Sequence, residues 1–145
     1  MLCRIDKLQT DDIENAKALL KESDLPADDI SEHAETFLTA KVNNELVGAI
    51  GLEIWNDCAL LRSFVVKEKY RNNGLGRELY EKCIELAQRS NIKLVALLTT
   101  TAELYFSKKG FIKVTGDSIP FFVKQTKEFQ VYCPKSSAVM IKKVQ

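Results

Sequence analysis

From Gly74 the hydrophobic period of the chain changes from that of a strand to that of a helix, and that change limits the possible folds more than any other feature. Before it, Ala59-Leu60-Leu61-Arg62-Ser63-Phe64-Val65-Val66 is an apolar run of strand length with two polar interruptions. After it, Leu75, Leu79, Cys83, Leu86 and Ala87 recur at helical spacing and form one apolar stripe. The opposite face carries Glu78 four residues before Lys82 and Glu85 four before Arg89, the favourable order for ion pairs on a helix. Ser90-Asn91 ends the helix. Ile92 through Leu98 is then almost continuously apolar, as expected of a strand buried on both faces.

The flanking sequence extends this alternation. Residues 3–9 form a first strand. Thr10 stands at an N-cap position, with Ile13, Ala16, Leu19 and Leu20 at helical spacing, until Leu25-Pro26-Ala27-Asp28-Asp29 breaks the helix. Residues 36–42 and 46–55 read as a hairpin around Asn43-Asn44, because asparagine tolerates the positive φ of a tight turn. A short helix over about 101–109 follows a threonine cap and ends at Gly110. Tyr105 falls on its core side. Phe111–Thr115 is a strand. A helix with Pro120 in its first turn runs to about Phe129. Cys133-Pro134 excludes a regular element, and Ala138–Lys143 is the last strand. The expected class is α/β or α+β, a mixed sheet flanked by helices.

A length of 145 residues fits one domain, residues 1–145, large enough to close a core without disulfides. The net charge of +1 supplies no global field for nucleic acid or an anionic membrane. Met1-Leu2-Cys3-Arg4-Ile5-Asp6 lacks the apolar core of a signal peptide and no run reaches transmembrane length, so a cytoplasmic location is expected. The four cysteines are scattered, and the single histidine, His33, has no partner at metal-ligand spacing, so no metal is expected.

The turn between strand and helix, Arg71-Asn72-Asn73-Gly74-Leu75-Gly76, carries the chemistry. Backbone N–H groups at a helix N-terminus point outward, and the helix dipole favours an anion there. Glycines remove the Cβ atoms that would hold a phosphate away, and Arg71 and Arg77 add charge-assisted hydrogen bonds. No Gly-Lys-Ser/Thr follows, so this is not a nucleoside-triphosphate loop. Leu79 and the apolar Leu97-Leu98 exclude the dinucleotide fingerprint.

The ordered set Val66-x4-Arg71-x-x-Gly74-x-Gly76-x-x-Leu79, a strand about twenty residues later, and a short helix ending at Gly110-Phe111 resembles the GNAT superfamily of acetyltransferases over nearly the whole chain. That resemblance implies acetyl-CoA as donor. It implies that Phe64, Val65 and Val66 lie along the pantetheine arm and that Arg71, Asn72, Asn73, Gly74, Leu75, Gly76 and Arg77 hold the pyrophosphate. It also implies a mostly antiparallel sheet splayed between its fourth and fifth strands. An amine would attack the thioester directly, so acceleration comes from juxtaposition, oxyanion stabilisation and removal of the ammonium proton. Glu53, late in the third strand, is the candidate base.

One position departs from the pattern. The tyrosine that often protonates the leaving thiolate is replaced by Phe106, which would then only line the CoA site. Tyr105 is adjacent, but one helical step turns a side chain by about 100°. Thr99 stands where the family has an asparagine. Thr99 or Ser63, acting through water, is the substitute acid. A thiol with a pKa of about 8.5 is in any case a fair leaving group.

A narrower resemblance runs through Leu60-Leu61-Arg62-Ser63, Leu97 to Ala102, and Pro120 to Met140. These segments are similar to a GNAT branch encoded in arsenic-resistance operons. It implies a small amine bearing an anion as acceptor, with Arg62 and Glu53 binding it. Two other readings stand beside this one: a non-catalytic acyl-CoA-binding domain that has lost the acid, and a protein N-acetyltransferase. Dimers are common in the superfamily, so the resemblance also admits a homodimer.

Overall fold

The Asn43-Asn44 turn closes the hairpin as its sequence predicts. Both asparagines are left-handed, at φ +51° and +68°, the pair of signs that a two-residue turn between twisted strands requires. The turn joins β2 (Phe37–Val42) to β3 (Glu45–Trp55). The structure, a computed structural model, describes residues 3–132 and 136–145. The expected break at Cys133-Pro134 lies outside them.

The other strands are β1 (Cys3–Lys7), β4 (Cys58–Val66), β5 (Leu94–Thr99), β6 (Ile112–Val114) and β7 (Ala138–Lys143). The sheet order is β1-β2-β3-β4-β5-β7-β6. β4 pairs with β5 in parallel through Cys58↔Leu94, Ala59↔Val95 and Leu60↔Ala96. The β1–β2, β2–β3, β5–β7 and β6–β7 ladders are antiparallel. The helices are α1 (Ile13–Glu22), α2 (Leu75–Arg89), α3 (Glu103–Lys108) and α4 (Phe121–Gln125).

Three helices end in the same way, for the same reason. In each, the residue after the last turn is left-handed, and two amides fold back on the helix's last carbonyls. Asp24 (φ +55°) does this after α1, where Leu25 N donates to Leu20 O at 3.0 Å. Asn91 (φ +61°) does it after α2, with Ile92 N on Ala87 O at 3.0 Å. Gly110 (φ +98°) does it after α3, with Phe111 N on Phe106 O at 3.1 Å. That last bond brings the Phe106 and Phe111 rings edge to face, 5.6 Å apart.

Some boundaries differ from expectation. Thr10 opens a 3-10 turn (Thr10–Asp12) and Asp12 precedes α1. Asp12 makes no side-chain cap and instead pairs with Lys41 at 2.8 Å. The helix expected to run to Phe129 stops at Gln125. Thr126 is extended there (ψ 150°), its hydroxyl donates to Val123 O at 2.7 Å, and its oxygen accepts Phe129 N at 3.2 Å. A buried hydroxyl that bonds the backbone on both sides competes with helix propagation. Tyr105, expected in the core, is 40% exposed, while Phe106 is buried.

The chain contains two compact units, Met1–Glu53 with Arg62–Leu86, and Ile54–Leu61 with Ala87–Gln145. The first encloses Leu8, Leu19, Leu20, Ile30, Phe37, Leu46 and Val65. The second encloses Leu60, Ala96, Val123 and Val139. In the first unit, glycine at 51 is a matter of space. A Cβ there would lie 2.2 Å from the Phe37 ring, and that ring also lies under the Arg62 guanidinium, 5.8 Å from its centroid. We expect Gly51→Ala to destabilise the fold by about 1–3 kcal/mol, read as a lower urea midpoint with an unchanged slope.

Candidate active site

Between β4 and α2 the backbone turns twice before the helix begins. A 3-10 turn at Glu68–Tyr70 follows the strand. Arg71 Nε donates to Val66 O at 2.8 Å, which ties the loop to the strand end. Asn72 is left-handed at φ +66° and Gly74 at φ +81°. Gly74 O accepts the Glu78 amide at 3.1 Å, so Gly74 stands immediately before the first turn of α2. A Cβ on Gly74 would approach only Arg77 Nη2, at 4.0 Å. A Cβ on Gly76 would make ordinary contacts with Val66 Cγ2 at 3.7 Å and Phe64 Cζ at 3.8 Å. The protein's own packing therefore does not demand glycine at 76. The open side of this turn, at the positive end of a long helix, fits a phosphate group.

Glu45 stabilises the approach to the loop. Lys67 Nζ donates to Glu45 Oε2 at 3.0 Å and the Tyr70 hydroxyl donates to Oε1 at 3.1 Å. These bonds, with Lys69 nearby, hold the Glu45 carboxyl below its ordinary value and push Lys67 up. Arg77 pairs only loosely with Glu81, at 3.8 Å on an exposed face, a contact of little energetic weight.

β4 carries Ser63, Phe64, Val65 and Val66, strand residues singled out in the sequence. Ser63 is left-handed at φ +59°, a conformation uncommon for a non-glycine residue inside a strand. Phe64 and Val66 are partly exposed. Val65 does not share their face: its side chain belongs to the core, so any contact it makes with a pantetheine arm is through its backbone.

Arg62, expected on the acceptor side, is engaged by side chains of the protein itself. Its side chain is fully buried. Nη1 and Nη2 donate to the two oxygens of Asp29 at 2.8 and 2.5 Å, Nη1 also reaches Glu53 Oε1 at 3.3 Å, and Nε donates to Ser63 Oγ at 3.3 Å. A guanidinium held in a bidentate pair with a carboxylate is not presented to a substrate anion. Glu53 is buried beside it, not exposed along the strand.

Asp29 and His33 were not legible as site residues. They lie four apart around a short turn, and His33 Nε2 is 3.8 Å from Asp29 Oδ2 and 3.7 Å from Glu53 Oε1. The isolation of His33 in sequence is thus not found in the fold. One donor atom from each of Asp29, His33 and Glu53 lies within 4.8 Å of the others, the spread of a metal-binding group, although Arg62 already donates to both carboxylates. Burial pushes the Asp29 carboxyl up, but the Arg62 hydrogen bonds and charge, with His33 adding to them, outweigh it and hold Asp29 below its ordinary value.

The second unit holds Thr99 and Phe106. Thr99 Oγ1 accepts the Ala102 amide at 2.9 Å ahead of α3. Phe106 packs edge-on against Tyr105 and Phe111, with centroids 5.1 and 5.6 Å away. Its ring packs at the end of α3. Burial raises the Tyr105 phenol above its ordinary value.

Residues 4–111 match the acetyltransferase (GNAT) family. The chain belongs to that family. A curated relative, an uncharacterised N-acetyltransferase of Chlorobaculum tepidum, is 27% identical over 94 residues, covering 64% of this chain and 60% of the relative. Among solved structures, N-acetylglutamate synthase of Neisseria gonorrhoeae, complexed with coenzyme A and N-acetyl-glutamate, superposes with a TM-score of 0.84 at 19% identity. That match covers all of this chain and 36% of the synthase. A GNAT acetyltransferase of Staphylococcus aureus Mu50 gives 0.78 at 20% identity over 99% of this chain and 100% of its own. Among the described residues, no helix is long and apolar enough to cross a membrane.

A carboxyl whose folded value lies below its unfolded one stabilises the fold above the unfolded value, about 3.9 for aspartate, and loses that contribution as pH falls through the folded value. Wild-type stability should therefore fall as pH is lowered below about 4. Asp29→Asn should remove that dependence and cost on the order of 3 kcal/mol at neutral pH, because it leaves Arg62 short of its main partner. Urea denaturation from pH 7 to pH 3 measures both.

Proposed function

We propose that this chain is a single-domain, acetyl-CoA-dependent N-acetyltransferase acting on a small amine. The observation that carries the reading is the turn before α2, where left-handed Gly74 leaves its outer side open beneath the helix N-terminus. Arg71 and Arg77 stand beside that opening to meet a pyrophosphate. Backbone groups of Phe64 and Val66 are the expected partners of a pantetheine arm. Bound acetyl-CoA would supply the acetyl group as an activated thioester.

Glu53 is the base in this reading. It takes one proton from the acceptor's ammonium, and the freed nitrogen lone pair attacks the thioester carbonyl. The left-handed backbone at Ser63 interrupts the regular conformation of β4, and a strand amide there would stabilise the developing oxyanion. The side chain at 106 has no proton to give. The leaving thiolate therefore departs unassisted or is met by Ser63 or Thr99 through water.

The arsenic-operon resemblance and the gonococcal synthase, with its bound N-acetyl-glutamate, both favour an amino-acid-like acceptor. In this reading Arg62 positions Asp29 and Glu53, because its donors are taken up by their carboxylates. One observation favours the non-catalytic alternative: Phe106 occupies the usual acid's position and is used for packing.

Two substitutions separate these readings. At φ +81° a β-branched residue would strain the backbone as well as fill the cradle, so Gly74→Asn, which tolerates that conformation, is the cleaner probe. It should weaken CoA binding at least about tenfold, measured by calorimetry, with thermal unfolding little changed. Glu53→Gln should leave CoA affinity intact and lower kcat about 10²–10⁴-fold over a panel of amino-acid amines. Tight CoA binding without transfer to any amine would establish the binding-domain reading instead.

A further inference from the structure

A buried base needs a way to lose the proton it gains. The Glu53 side chain is only 9% exposed and Asp29 beside it 4%, whereas His33, which faces both, is 23% exposed. Counting charges, Asp29 and Glu53 contribute two negative charges and Arg62 one positive, which leaves the cluster at −1 when His33 is neutral. One proton delivered to Glu53 brings it to zero. Moving that proton on to His33 keeps the total at zero and restores the Glu53 carboxylate for the next turnover. Arg62 holds both carboxylates in position meanwhile, by bonds to Asp29 and to Glu53 Oε1.

We propose that His33 is the proton relay of this site, carrying the proton from Glu53 to solvent. The step rests on the reading of Glu53 as base. The O–H bond of protonated Glu53 breaks as its proton forms an N–H bond at His33 Nε2, and the imidazolium then releases its Nδ1 proton to water. The 3.7 Å separation is slightly longer than a hydrogen bond. A small ring rotation closes it, and catalytic contacts commonly tighten only when substrate binds. The backbone permits this placement: His33 interrupts the turn at Ile30–Thr36, with φ −123° and ψ 18°.

Proton release then depends on pH. A His33 already charged cannot accept from Glu53, so turnover falls as pH is lowered through its ionisation. The charged groups facing the imidazole are Asp29 on its own turn and Glu53 on β3, with Arg62 on β4 behind them. Glu32 and Glu35 flank it in sequence. From β1, Lys7 pairs with Glu35 at 3.9 Å, and from α1, Lys21 pairs with Asp28 at 4.0 Å.

The test compares His33→Ala and the milder His33→Gln with wild type across pH. The expected result is a kcat lower by about tenfold, with KM for acetyl-CoA within about twofold, and loss of part of the acid limb. Added imidazole should restore His33→Ala, whose site opens to solvent, and should not restore Glu53→Gln. Because His33 is the only histidine, its single imidazole NMR signal needs no assignment, and Glu53→Gln should change its response to pH.

Wild-type kcat and pH profile in both His33 variants would overturn the relay and leave Glu53 as base. An NMR response indifferent to Glu53→Gln would do the same, even if the variants fold poorly. Loss of activity with a chelator and its return with a divalent ion would make the cluster a metal site and overturn the relay. Absence of transfer to any amine by the wild type would remove the parent reading, and the relay with it.

Discussion

The Arg62 guanidinium is the fixed point of the first unit. It is fully buried, it holds both oxygens of Asp29, it reaches Glu53, and the Phe37 ring lies under it. A buried charge of this kind is tolerated only if its donors are matched, and removal of a partner is costly. The rest follows from that requirement. The segment carrying Asp29 must cross to β4, which brings His33 along. Glu53 must face inward near the end of β3. Gly51 must lack a side chain so that Phe37 can take its position.

The turn before α2 and the Asp29–His33–Glu53–Arg62 group are built on different physics. The turn before α2 relies on backbone: left-handed Asn72 and Gly74, and a helix dipole. It can wait for a ligand without rearranging its packing. The Asp29–His33–Glu53–Arg62 group relies on side-chain charge compensated within the protein. A phosphate can be received by the first without disturbing the second.

The turn before α2 was legible in the sequence and the Asp29–His33–Glu53–Arg62 group was not. The hairpin, α2, β5, β7 and the Gly110 helix end all follow from periods and turn residues that act over a few positions. The Arg62–Asp29 pair joins residues 33 apart, and Arg62–Glu53 joins residues 9 apart across neighbouring strands. No local period encodes such a meeting. Arg62 therefore read as a candidate anion binder, and His33 as isolated, when each has its partners in the fold. Phe106 showed the reverse limit. Its position identified a missing acid, but only the Phe111 contact shows what the ring does instead. Thr126 is a third case: helical periodicity ran on to Phe129, and a single hydroxyl ended the helix early.

The left-handed positions have a further consequence for the unfolded chain. Asn43, Asn44, Asn56, Asn72 and Asn91 all adopt positive φ, as does Asp24, where glycine is the permissive choice. A side chain narrows the conformations open to the denatured backbone, so less entropy is lost when these turns form. Glycine stands instead at the left-handed bends of Gly74 and Gly110. Of these bends, those set by asparagine are biased before the protein folds, and those at Gly74 and Gly110 keep the widest freedom until folding selects them.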